Sequence, residues 1–174
     1  MSDTSFSFHY LPEEDRIALT FSKDQGEVPA PVLLTRRLVK LLGNYLRHYI
    51  EKNTNLPDTV CTDNKEDIYQ FMHHSELEAG YPQWDSGNQK QEKAQELKSA
   101  RLPSKVDINH TAEAVSLMFY KQNTHLVSLT LGWKQIHSFL YSLSEMSRKA
   151  EWNLENIFEW SGKPLDIQNL GQSQ

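Results

Sequence analysis

The sequence predicts an α+β fold: two pseudo-repeated βββα units, with antiparallel strands packed against two main amphipathic helices. Three observations predict it. First, Val32, Leu33 and Leu34 form a short apolar run that leads into Thr35, a good helix N-cap. A helical pattern follows, in which Leu38, Leu41, Leu42, Tyr45, Leu46 and Tyr49 share one face. Second, the same order returns near the C-terminus. Residues 126–130 read as a strand, Thr130 as a cap, and Trp133, Ile136, Leu140 and Leu143 as the buried face of a second helix. Third, each of these strand-helix pairs follows two runs in which apolar and polar residues alternate with the period of a half-buried strand.

In the first half, Phe6, Phe8 and Tyr10 alternate with Ser7 and His9, and Ile17, Leu19 and Phe21 alternate with Ala18 and Thr20. Between them lies the turn sequence Leu11-Pro12-Glu13-Glu14-Asp15, where Pro12 fixes φ and removes a ladder donor. Gly26, Pro29 and Pro31 hold off the third strand until Val32. The helix carries Gly43 in its interior at a cost of about 1 kcal/mol against Ala, which points to close approach by another backbone. Burying its six apolar side chains contributes roughly 10 kcal/mol gross. Ordering its backbone costs at least as much, so the helix needs a sheet to lie on.

Residues 54–104 read as a polar connector. Asn55-Leu56-Pro57-Asp58 is turn chemistry, and residues 65–79 suggest a short helix seated through Ile68, Phe71 and Met72 and stopped by Gly80 and Pro82. Residues 85–105 carry only Ala94, Leu97, Ala100 and Leu102 as apolar content, which suits a solvated helix or a disordered tether. The second half restarts with Val106 and Ile108, turns through 110–113, alternates again at Val115, Leu117 and Phe119, and turns at Gln122-Asn123-Thr124. Four segments result: 1–53, the first unit; 54–104, the connector; 105–150, the second unit; and 151–174, a C-terminal segment. The last holds Trp152, Leu154, Ile157, Phe158 and Trp160, too much apolar surface to leave in water, so it is expected to pack on the domain or on a partner and to fray beyond Gly171.

Position arithmetic supports a duplication. Phe8, Tyr10, Ile17, Leu19 and Phe21 recur without a gap as Val106, Ile108, Val115, Leu117 and Phe119, 98 residues later. Leu34, Thr35, Leu38, Leu41 and Tyr45 recur as Leu129, Thr130, Trp133, Ile136 and Leu140, 95 residues later. Two such units, each with one apolar sheet face and one apolar helix face, need one another to close a core. The layout is similar to that of the PUR and Whirly families, which build single-strand nucleic-acid binders from sheet-then-helix repeats. Those repeats have four strands where three are counted here, and they are more basic on the sheet. The likeness covers both halves but no motif.

The chain carries 18 basic and 23 acidic residues, a formal charge of −5, so no global field attracts nucleic acid or an anionic membrane. A single cysteine, Cys61, cannot form an intramolecular disulfide, which suits a reducing compartment. The first residues have neither a basic stretch nor a long apolar one, so no signal peptide is read there. No run approaches the roughly 20 apolar residues of a spanning helix. The expectation is a cytoplasmic protein.

Arg36, Arg37 and Lys40 crowd the first turns of the first helix and oppose its macrodipole, a placement that suits a grip on an acidic partner. The competing reading pairs them with Glu13, Glu14 or Asp15. His73-His74 with Glu76 is the only cluster that suggests a metal, yet adjacent helical side chains point about 100° apart and no further ligands stand at zinc spacing. His137 reads as a satisfied core histidine. No Walker, nucleophile-elbow or dinucleotide pattern occurs, so no catalytic residue, metal or cofactor is expected. The functional expectation is a non-enzymatic interaction protein that binds a protein partner or a second copy of itself. Arg36, Arg37 and Lys40 would make its polar contacts, and Trp152, Phe158 and Trp160 would be its apolar anchors. The alternative is single-stranded nucleic-acid binding across the sheets, with Phe6, His9 and Tyr120 stacking on bases if they face outward.

Overall fold

Period-two alternation places one row of side chains from every strand in the interior, and the two halves fold as two separate antiparallel sheets. The computed structural model describes residues 5–22, 29–57, 60, 62–78 and 98–162. Sheet A is formed by β1 (Phe6–Leu11), β2 (Arg16–Phe21) and β3 (Val32–Leu34), and sheet B by β4 (Lys105–His110), β5 (Ala114–Lys121) and β6 (Thr124–Gly132). The helices are α1 (Arg36–Asn53), α2 (Thr62–Glu78), α3 (Trp133–Lys149) and the short α4 (Glu155–Phe158), which continues into a 3₁₀ turn, Glu159–Gly162. The fold is α+β. The readings of Gly26, Cys61, Gly80, Pro82, residues 85–97 and the frayed terminus beyond Gly171 lie outside the described residues.

Both sheets turn their inner rows onto one interior. Ile17, Leu19, Phe21, Val115, Leu117 and Phe119 belong to the same buried cluster, together with Leu42 and Leu46 of α1 and Ile136, Phe139, Leu140 and Leu143 of α3. Each main helix reaches the opposite half. Tyr45 and Tyr49 of α1 end at the β4–β5 turn, where the Tyr45 hydroxyl meets His110 Nδ1 and the Tyr49 hydroxyl donates to the Thr111 carbonyl at 2.8 Å. From α3, Phe139 packs edge-on against Phe6 and Phe8 of β1, with ring centroids 5.2 and 4.9 Å apart. Arg101 joins the two sheets: its backbone pairs with Pro31 and Leu33 beside β3, while its guanidinium donates to the Leu126 carbonyl of β6.

Strand register corrects the ungapped alignment. Phe8 lies opposite Leu19, but their proposed counterparts Val106 and Leu117 are not partners; Val106 faces Phe119 and Ile108 faces Leu117. Both ladders close over four residues, 12–15 and 111–114, but the two turns are centred 99 residues apart rather than 98, which moves each partner by two. The second turn is held by the Thr111 N–H on the Ala114 carbonyl and by the Thr111 hydroxyl, which accepts from the Glu113 and Ala114 amides. A shift of two keeps every side chain on its face, which is why the pattern alone missed it. The second helix also starts later than expected. β6 runs on to Gly132, and that residue, not Thr130, is the N-cap, with the Gln135 side chain accepting from its N–H at 2.9 Å. Thr130 stays in the strand and bonds Ser116 across the outer face.

The buried face of α1 is rotated from the expected one. Leu38, Val39, Leu42, Gly43, Leu46, Tyr49 and Ile50 are buried, whereas Leu41 is 43% exposed. The approach at Gly43 comes from side chains rather than backbone: a Cβ there would meet Ile157 Cγ2 and Phe158 Cε1 at 3.0 Å. At the helix start the Thr35 hydroxyl accepts from the Leu38 N–H at 3.3 Å. Thr35→Ala is expected to cost about 1 kcal/mol in urea denaturation. No measurable loss would show that solvent caps the helix equally well.

Candidate functional site

Two surfaces and one buried cluster carry polar chemistry. On α1, Arg36, Arg37 and Lys40 are all exposed, and Leu41 stands beside them. None of the three cations forms an ion pair among the described residues, so the competing reading, pairing with Glu13, Glu14 or Asp15, is not met. Asp15 is used elsewhere, accepting from the Trp152 indole at 2.6 Å and the Tyr10 hydroxyl at 3.1 Å. The first turn of α1 contains no acidic residue. A helix start with free cations and one bare leucine is suited to an acidic, partly apolar surface.

The second surface is the outer face of sheet B. Tyr120 points outward with its ring edge-on to His125 at 5.4 Å, and the Lys105 ammonium lies 5.4 Å from the centre of the same ring. Lys105 is also paired with Asp107 at 2.8 Å, which offsets its charge. Of the other two residues proposed to stack, His9 is exposed, whereas Phe6 turns inward against Phe8 and Phe139.

The aromatic residues of the C-terminal segment lie in the chain's own core: Trp152, Phe158 and Trp160 are each at most 3% exposed. Trp160 donates to Glu51 Oε1 at 2.9 Å, and Arg47 holds Glu159 at 2.5 Å, which ties the 3₁₀ turn to the end of α1. Positive φ angles at Glu151, Asn153 and Glu159 bend the chain sharply enough to seat both indoles, at roughly 1 kcal/mol or more each. As partner anchors these three side chains have no free surface to offer. The excess apolar area that drew attention to them is satisfied internally.

The buried cluster lies between α2, α3 and the 3₁₀ turn. The expected helix over 65–79 is present as α2, but it docks through a different face: Phe71 is 60% exposed, and His73, His74 and Leu77 are buried. His73 Nδ1 meets His137 Nδ1 at 2.8 Å. One imidazole must donate and the other accept, so the two hold opposite tautomers. Among the described residues Nε2 of each ring is buried without a hydrogen-bond partner, so His137 is satisfied there at one nitrogen only. Trp160 stands edge-on to His73 at 5.4 Å and Trp133 edge-on to His137 at 5.0 Å. Burial pushes His73 down to about 3, with His137 and His74 adding to the effect and the Ser161 backbone opposing it; burial alone pushes His137 down to about 4. An unfolded histidine titrates near 6.5, so between that value and the folded ones the open chain binds more protons. The pair therefore costs no stability above about pH 7 and erodes it progressively as pH falls below about 6.5. Sequence reasoning noted both histidines separately; nothing in the local pattern links residues 64 positions apart.

Among the described residues no three His, Cys, Asp or Glu side chains converge to hold a metal ion. A hollow of about 120 Å³ beside α3 and α4 is lined by Ser144, Ser147, Glu155 and Glu159 among others. The Ser147 hydroxyl there is spent on the Ser144 carbonyl. No helix among the described residues is long and apolar enough to cross a membrane. Comparison of the chain with protein-family models, curated proteins and solved structures found no match.

Proposed function

We propose that this chain is a non-enzymatic, cytoplasmic interaction protein that docks an acidic protein surface, or a second copy of itself, through the exposed face of α1. The observation that carries this reading is the trio Arg36, Arg37 and Lys40, exposed and without ion pairs among the described residues in a chain of net charge −5. Leu41 supplies the apolar contact that the buried C-terminal aromatics do not. The second reading, single-stranded nucleic acid across a sheet, rests on Tyr120, His125 and Lys105 on the outer face of sheet B.

The βββα halves are proposed to be a pseudo-twofold pair. Support comes from the reciprocal packing of α1 on the β4–β5 turn and α3 on β1, and from helix starts at Arg36 and Trp133 that each follow the third strand of their sheet.

The test is a paired measurement on the full chain. Wild-type protein used as bait in native lysate is expected to retain an acidic partner that is released by about 0.5 M salt, and the R36E/R37E/K40E variant to lose roughly nine-tenths of it or more. Equal capture by the variant would end the α1 reading. A single-stranded oligonucleotide titrated at low ionic strength separates the alternatives: tight, salt-sensitive binding abolished by Tyr120→Ala would move the function to sheet B.

A further inference from the structure

Helix α2 is fastened by residues poorly suited to hold it permanently. Its buried side chains, among the described residues, are His73, His74 and Leu77; Tyr69 is half-buried with its ring 5.7 Å from that of Trp160, while Phe71 and Met72 face solvent. Leu77 lies outside the main core cluster, and the contacts of α2 concentrate on α3 and the 3₁₀ turn. Two of its three buried positions are thus titratable, and the His73–His137 bond persists only while at least one of its two imidazoles is neutral.

We infer that α2 is an acid-released flap: protonation of His73 and His137 detaches it from α3 and uncovers Trp160, while both sheets, α1 and α3 stay folded. Protonating one ring leaves an imidazolium that still donates to the Nδ1 of its neutral partner, so the bond is lost only when both rings carry the extra proton and neither keeps an acceptor. Protonating both puts two cations 2.8 Å apart in the interior. The groups around the pair do not compensate. His73 meets the rings of His74, Tyr141 and Trp160, and His137 meets Trp133; the Ser161 backbone favours the His73 cation but is outweighed by burial. From the 3₁₀ turn, Glu159 is held by Arg47, and from α1, Glu51 accepts from Trp160. Among the described residues no carboxylate bonds to the Nε2 of either ring, and the sheets do not depend on α2 for their inner rows. Release of a weakly held unit ahead of the global transition follows. This inference stands independently of the docking role given to α1.

Hydrogen exchange of the full chain, corrected for the intrinsic pH dependence, tests it. With folded values of about 3 and about 4 against 6.5 when open, each histidine favours the released state by about thirtyfold at pH 5. Amides of α2 are expected to lose protection by about a thousandfold between pH 7.5 and 5, with β2, β5 and α1 still protected. His137→Phe removes one titrating group and should cut that loss to about thirtyfold. Should this variant not fold, NMR titration of wild-type histidines gives the same answer: His73 and His137 should begin to titrate only where α2 protection is lost. A fall in α2 protection of less than about tenfold overturns the inference. So does simultaneous loss of α2 and the sheets at one pH, or a His137→Phe protein that releases α2 as readily as wild type.

Discussion

Phe139→Ala is expected to lower the unfolding free energy by about 4 kcal/mol, because it empties the site where the two halves interlock. Phe139 belongs to the helix of the second half, yet its ring lies against Phe6 and Phe8 on the first strand of the first half. It is fully buried, and its two neighbours on β1 are themselves rigid rings that cannot flow into the space left behind. The cost therefore combines lost transfer energy with a cavity that does not collapse. Leu41→Ala, on the exposed side of α1, is the matched control and should fall within about 0.5 kcal/mol of wild type. Guanidinium denaturation of both proteins at neutral pH decides the matter. A loss below about 1 kcal/mol for Phe139→Ala would mean that α3 and sheet A do not share one interior.

Gly43→Leu should have the next largest effect, about 3 kcal/mol, and should act at a distance along the chain. A single added Cβ would already stand 3.0 Å from Ile157 Cγ2 and Phe158 Cε1. Alanine can be accommodated by small shifts of those side-chain ends, and its better helix propensity offsets the strain, so Gly43→Ala is expected within about 1 kcal/mol of wild type. Leucine has nowhere to go except into α4, and pushing α4 away loosens Trp160, which reaches back to Glu51 on the same helix. The expected signature is a red-shifted tryptophan emission and limited proteolysis beyond residue 150 before any loss of sheet structure. A Gly43→Leu protein as stable as wild type, with unchanged emission, would remove α4 from the seam against α1.

Much of the secondary structure was legible because the signals that specify it are local. Alternation at Phe6, Phe8, Ile17, Leu19, Val115 and Leu117 requires strands with one wet face, and the Thr35 cap followed by a long amphipathic run requires a helix. The candidate site was legible only in part. Arg36, Arg37 and Lys40 could be placed on the first turns of α1, but whether Glu13, Glu14 and Asp15 reach them depends on where β1 and β2 turn. Trp152 took Asp15 instead.

The sequence by itself determined the class of fold, the order of strands and main helices, and the inward row of each strand, since backbone geometry and nearest-neighbour polarity settle these within a few residues. Tertiary structure decided which side of α1 faces inward. Leu38, Val39, Leu41, Leu42, Tyr45, Leu46, Tyr49 and Ile50 cover more than half of that helix, and the packing of α3 and α4 on it, from about a hundred residues later, leaves Val39 and Ile50 buried and Leu41 exposed. It also decided the strand register, the Gly132 cap and the meeting of His73 with His137, because each depends on a partner that is distant in sequence and close only once the core has closed.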